Sequence, residues 1–150
     1  MGTVPTRPGR RTGQAVVEFA LVLPVFLLLV FGTIEFGRAY LTLHLLTNAS
    51  REGARVGSLP GNLEAAVDTA VSDFLTAAGL AGSHTTTTTV YPEGVAMVSG
   101  NERAGGLTDA VQGDRIHITV AYNFVVLSGT IIPGFSGTVP LQAVCVYRHE

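Results

Sequence analysis

Residues 14–58 read QAVVEFALVLPVFLLLVFGTIEFGRAYLTLHLLTNASREGARVGS, and the fold is decided by where this run stops being apolar while remaining helical. The twenty residues from Ala15 to Ile34 carry one charge, Glu18, and about 20 apolar residues cross a bilayer core as a helix. Past Ile34 charged groups enter, but no proline occurs until Pro60. Tyr40, Leu43, Leu46 and Ala49 recur at three-residue steps with Thr47 and Ser50 beside them, a helical period. One helix from Gln14 to about Ser58 is therefore predicted, roughly 65 Å long at 1.5 Å per residue. A helix that long outreaches a bilayer core of about 30 Å. Gly57, Pro60 and Gly61 end it.

Upstream, residues 1–13 form a short basic leader holding Arg7, Arg10 and Arg11, two prolines and no acid. Such a stretch has nothing with which to build a core. Basic residues favour the cytoplasmic side of a membrane. The three arginines precede the span, whereas Glu35 and Arg38 are mixed after it, so the N-terminus is expected inside and the rest of the chain outside. That places the protein in the cytoplasmic membrane with a single pass, membrane lipid being its first partner.

Downstream, residues 59–150 read as an outward-facing α+β domain. Asn62 is an expected N-cap for a short helix from Leu63 to Ala78, with Glu64 and Asp68 near its positive end and Gly79 placed to stop it. Leu63, Ala66, Val67, Ala70, Val71, Phe74, Leu75 and Ala78 make one apolar stripe along it. From His84 the pattern turns to strands: HTTTTTVY, a turn at YPEG, a return strand VAMVS, and a loop from Gly100 to Gly106. Ile116, Ile118, Val120, Tyr122, Phe124 and Val126 alternate with polar or small residues, the period of a half-buried strand. After the loop IPGFSG a last strand runs from about Val139 to Arg148, with Leu141, Ala143, Cys145 and Tyr147 on one face and Pro140 confined to its start or to an edge. The fold class is thus α+β: a long N-terminal helix, a short amphipathic helix, then a small antiparallel sheet.

Composition narrows the function. Charged residues make up 13% of the 150 residues, against roughly 25% in an average soluble protein. Net charge is −2 and every basic residue is Arg, so no broad basic face exists to hold nucleic acid. The single cysteine, Cys145, has no intrachain disulfide partner. His44, His84, His117 and His149 lack metal-ligand spacing. No glycine-rich phosphate loop links a strand to a helix, and Ser128-Gly129 lacks the strand-to-helix elbow of a hydrolase nucleophile. No cofactor and no catalytic residue is expected.

The stretch RRTGQAVVEFALVLPVF resembles the processing site of type IV prepilins and their pseudopilin relatives, in Arg10 and Arg11, Gly13, the apolar helix, and Glu18 as the fifth residue after Gly13. Extended through Glu35-Phe36-Gly37-Arg38 and Asn48-Ala49-x-Arg51-Glu52-Gly53-Ala54-Arg55, the chain resembles the TadE-like family of minor pseudopilins more closely. Phe19 after Glu18, where main-fibre pilins of the Flp type have Tyr, and the long C-terminal region both favour a minor subunit. The resemblance implies a pilin-like fold, cleavage by a prepilin peptidase between Gly13 and Gln14, other pilin or pseudopilin subunits and the Tad assembly machinery as partners, and a place in assembly of an adhesion pilus. Under that reading the protein is no enzyme. The competing reading is a single-span anchor that presents an extracytoplasmic enzyme or ligand-binding domain.

Each marked residue has a chemical reading and a plainer one. A charged side chain at the centre of a span costs of order 2.5–3.5 kcal/mol on the insertion scale. Cutting after Gly13 would create a cationic α-amine on Gln14, with a pKa of about 8, that Glu18 of a neighbouring subunit neutralises; alternatively Glu18 reaches for head groups or water. Gly13 supplies an unhindered backbone for a peptidase, or is an ordinary leader glycine. Pro24 is a functional hinge or a harmless kink. Arg51, Glu52 and Arg55 dock a domain or partner, or decorate a solvated face where ion pairs are worth little. Glu35 and Arg38, three apart, pair at the outer membrane boundary.

Overall fold

The computed structural model describes residues 11–80, 82, 84–127 and 137–150. Helix α1 spans Arg11–Gly57 and α2 spans Glu64–Ala77. Three strands follow, β1 His84–Tyr91, β2 Arg115–Val125 and β3 Thr138–Arg148, with a short 3-10 turn at Gly106–Asp109 between β1 and β2. The α+β order of long helix, short helix and antiparallel sheet is as the sequence predicts. Most of the leader, residues 1–10, and most of the IPGFSG loop lie outside the described residues.

The sheet is ordered β1-β2-β3, both pairs antiparallel. Its register aligns Val90, Ile116 and Tyr147 in one row, Thr88, Ile118 and Cys145 in the next, and Thr86, Val120 and Ala143 in a third. Successive strand residues point to opposite faces, so these rows share the face on which Ile116, Ile118 and Val120 are fully buried. Helix α1 lies across β2 and β3, and α2 lies against α1 and reaches β1. One face of the sheet is therefore covered by two helices. Pro140 sits opposite Asn123 near the start of β3, at an edge of the described sheet, the kind of position that tolerates proline.

Small residues set how closely these layers approach. Ala49, Gly53 and Gly57 recur every four residues on one stripe of α1. A Cβ added at Gly53 would stand 2.8 Å from Val71 Cγ2 and 3.5 Å from Ile118 Cγ2. At Gly57 it would meet Val67 Cγ2 at 3.3 Å and Ile116 Cγ2 at 3.6 Å. The two glycines thus lie where α1, α2 and β2 converge, and the core of Leu46, Ala49, Ala54, Val67, Val71, Leu75, Ile116 and Ile118 closes around them.

Past the apolar segment the buried face of α1 is Thr42, Leu46, Ala49, Ser50 and Ala54, continued by Ser58, while Tyr40 and Leu43 point outward. Three local expectations are corrected. Asn62 does not cap α2: Leu63 occupies the cap position without a side-chain bond, and Asn62 Nδ2 donates to the Val56 carbonyl at 2.7 Å, closing α1 instead. The apolar stripe of α2 is shorter than expected: Val67, Val71 and Leu75 are buried and Ala66, Ala70 and Phe74 half-buried, whereas Leu63 and Ala78 lie beyond its ends and stay exposed. VAMVS is not a strand; β1 takes its partner from β2, and residues 92–114 form a long connection in which Leu107 supplies the buried anchor.

Candidate functional site

The functional residues read from the sequence all lie on α1, and the structure separates them into three levels. At the start of the helix, Gly13 and Gln14 are already helical, α1 beginning at Arg11. A side chain at Gly13 would meet nothing within 4 Å. Gly13, Gln14, Val17, Glu18 and Leu21 border one shallow open groove. Gln14 and Glu18 are four apart, about 6 Å along the axis, and share one helix face.

From Gly13 onward α1 contains a segment long and apolar enough to cross a membrane, and none of that segment is buried within the protein. Val16, Phe19, Leu21, Val25 and Leu29 are all more than 60% exposed. Pro24 lies inside the helix, which continues through it; lacking an N–H, it leaves the Ala20 carbonyl without its usual donor. Glu18 is exposed here too, in a stretch that otherwise offers water only hydrocarbon.

At the boundary between span and domain, Glu35 and Arg38 pair as expected, Arg38 Nη1 donating to Glu35 Oε1 at 3.2 Å. Their role is more than anchoring. The same Glu35 oxygen accepts the backbone N–H of Leu127 at 3.0 Å, and the Arg38 guanidinium lies 5.1 Å from the centre of the Phe124 ring, within cation–π range. This pair fastens the end of β2 to the helix where it leaves the apolar segment.

Higher on α1, Arg55 holds Glu52 through two bonds of 3.0 and 2.6 Å. The Arg55 hydrogen bond holds the Glu52 carboxyl below its ordinary pKa, and the same bond raises that of Arg55. The pair is on the exposed side of α1 and touches neither α2 nor the sheet through any ion pair among the described residues. Arg51 is exposed and makes no salt bridge among the described residues. The glycine inside this same motif, Gly53, faces the opposite way and is the one that admits α2 and β2. Residues 13–55 match the family model for TadE-like proteins. Most of helix α1 is thus similar to the TadE-like family.

The match coincides with α1 and stops two residues before its end, so α2 and the sheet lie outside the TadE-like segment. No curated protein and no solved structure matches the chain. A pilus-associated membrane protein of the Tad type fits both the matched segment and its apolar helix.

Sequence reasoning missed a buried ion pair in the domain. Arg103 grips the carboxylate of the fully buried Asp114 through two nitrogens, and the backbone N–H of Val111 donates to the same carboxylate at 3.0 Å. Bonding to Arg103 holds Asp114 below the ordinary aspartate pKa, against the opposing effect of burial. Arg103 also donates its backbone N–H to Val90, so this pair pins the long connection to β1 and to the start of β2. Neither residue lies on a periodic element, and no sequence signal joins them. Its neighbour His149, also buried, is 3.4 Å from the Gly57 carbonyl through Nδ1, and Glu150 donates its N–H to Ser58 at 3.0 Å. Among the described residues no three His, Cys, Asp or Glu side chains converge as a metal site would require.

Proposed function

We propose that this protein is a minor, TadE-like pseudopilin of a Tad-type adhesion pilus: a membrane-held structural and assembly subunit, not an enzyme. In this reading a prepilin peptidase cuts between Gly13 and Gln14, the span holds the subunit in the cytoplasmic membrane, and the α+β domain faces outward to meet other pilin or pseudopilin subunits and the assembly machinery. The observation that carries it is the division of one TadE-like helix into an unburied apolar half with a single carboxylate near its start and a half packed into a folded domain.

Glu18 gives this reading its chemistry. Before cleavage the nitrogen of Gln14 is a neutral amide; afterwards it is an amine that is cationic below about pH 8. Bringing that cation to a carboxylate removes the cost of holding either charge alone in an apolar medium. The shared face of Gln14 and Glu18 lets the pair close within one chain, or between neighbours whose helices are packed side by side. A pair closed between neighbours couples processing to assembly, because uncut subunits lack the cation.

Two substitutions in the native host test this. Gly13→Leu is expected to leave an uncut precursor in the membrane, and Glu18→Ala to be cut normally but to lose pilus assembly, both read by immunoblot and by counting pili. Normal pili from Glu18→Ala cells would rule out the charge-pairing step, and normal cutting of Gly13→Leu would rule out the processing site.

A further inference from the structure

The two ends of the sheet differ in chemistry. At the end beside the terminus of α1, an open cleft is bordered by Glu93, Gln112, Arg148 and Glu150. At the other end, beside Gly32 and Phe36 of α1, a groove is bordered by Phe124, Val126, Val139 and Leu141. Around it Phe36 is 75% exposed, Val125 57%, Leu127 49% and Val139 47%. The charges that stand here, Glu35 and Arg38, are paired with each other, and Glu35 also holds the Leu127 N–H.

We propose that this apolar end of the β2–β3 pair is a second membrane contact, seated in the lipid interface beside the span. The proposal rests on reading α1 as a membrane span. Two observations select lipid as the occupant. First, the Leu127 backbone is fixed to Glu35, one residue past the last apolar position of the span, so it stands at the level where hydrocarbon gives way to head groups. Apolar faces commonly enter that zone by about 5–10 Å. Second, the groove opens beside Gly32, which is inside the span, so its floor is continuous with the lipid-facing surface of α1. With β2 tied to α1 at this level, the domain lies down on the bilayer and presents its charged end and the exposed Glu52–Arg55 pair away from it. Leu127, Val139 and Phe36 then shed the exposure to water that a domain standing clear of the membrane would impose on them.

The test uses the full chain in vesicles of phosphatidylcholine and phosphatidylglycerol. In a Cys145→Ser background, Leu127→Cys, Val139→Cys, Gln112→Cys and Leu27→Cys are each labelled with an environment-sensitive fluorophore, and lipids bearing a nitroxide near the glycerol end of the acyl chain serve as quencher. The expected result is loss of emission at Leu127 and Val139 comparable with that at Leu27, and none at Gln112. Either of the two sheet positions suffices where the other variant does not fold. Emission at both equal to that at Gln112, with Leu27 quenched, would overturn the second contact and leave the span intact. Protection from aqueous iodide without quenching by lipid would show a second copy of the chain covering the patch, and would equally overturn it. Unquenched Leu27 would remove the span itself, and the proposal with it.

Discussion

The two halves of α1 share one backbone and one family match but answer to different solvents. From Gly13 to Ile34 nearly every side chain is large, apolar and exposed; from Thr42 to Ser58 one stripe, mostly of small residues around Leu46, is buried, and most of the polar and charged residues lie off it. The lesson is that bulk is placed by the partner. Lipid accepts Phe and Leu on every side of a helix, whereas the sheet and α2 approach only where Ala49, Gly53 and Gly57 have removed side chains. The matched segment therefore joins two surfaces, one apolar and long enough to cross a membrane and one packed on its own domain.

The comparison is broken most directly by equivalent truncations on each half. Leu46→Ala, at a position with no solvent exposure, is expected to cost about 2–5 kcal/mol in urea unfolding of the full chain in detergent. Leu29→Ala, 65% exposed, is expected to leave the domain transition where it is. Equal losses would mean that the span is part of the domain's core.

Next in size is Gly53→Val, which forces Val71 to move and crowds Val67, and is expected to cost about 1–3 kcal/mol by overpacking. Gly37→Val places its Cβ in open space and is expected to leave the unfolding midpoint of the domain unchanged. A neutral Gly53→Val would contradict the three-way packing at that glycine.

A smaller, pH-dependent effect is expected from Asp114. Its folded pKa lies below the unfolded value, about 3.9, because Arg103 bonds the ionised form. Its contribution is complete above the unfolded value and is lost as pH falls through the lowered folded one. Asp114→Asn should weaken the domain at neutral pH and flatten the acid side of the stability–pH curve. An unaltered acid limb would show that other carboxylates set it. Least of all should come from Glu52→Gln: the pair it breaks is exposed, and melting is expected to be unchanged, which circular dichroism can check.

What was legible in the sequence follows the same division. The long apolar helix was plain because its apolar run is unbroken, and β2 was plain because one buried face imposes strict alternation. The Glu35–Arg38 pair was readable from its spacing, but its grip on Leu127 was not, since those residues are 92 apart. The four-residue spacing of Ala49, Gly53 and Gly57 is itself a signal for close packing. VAMVS misled because β-branched residues alone do not supply a partner strand. Arg103 and Asp114 were invisible because an ion pair between two irregular segments leaves no period.

The claim that the first half of α1 is a processed pseudopilin anchor is tested most directly by the mass of the intact protein, purified from membranes and from sheared pili of the native host. The account predicts a chain that begins at Gln14 and retains the whole span. A chain that still carries Met1 to Gly13, or one that has lost the residues through Ile34, would contradict it.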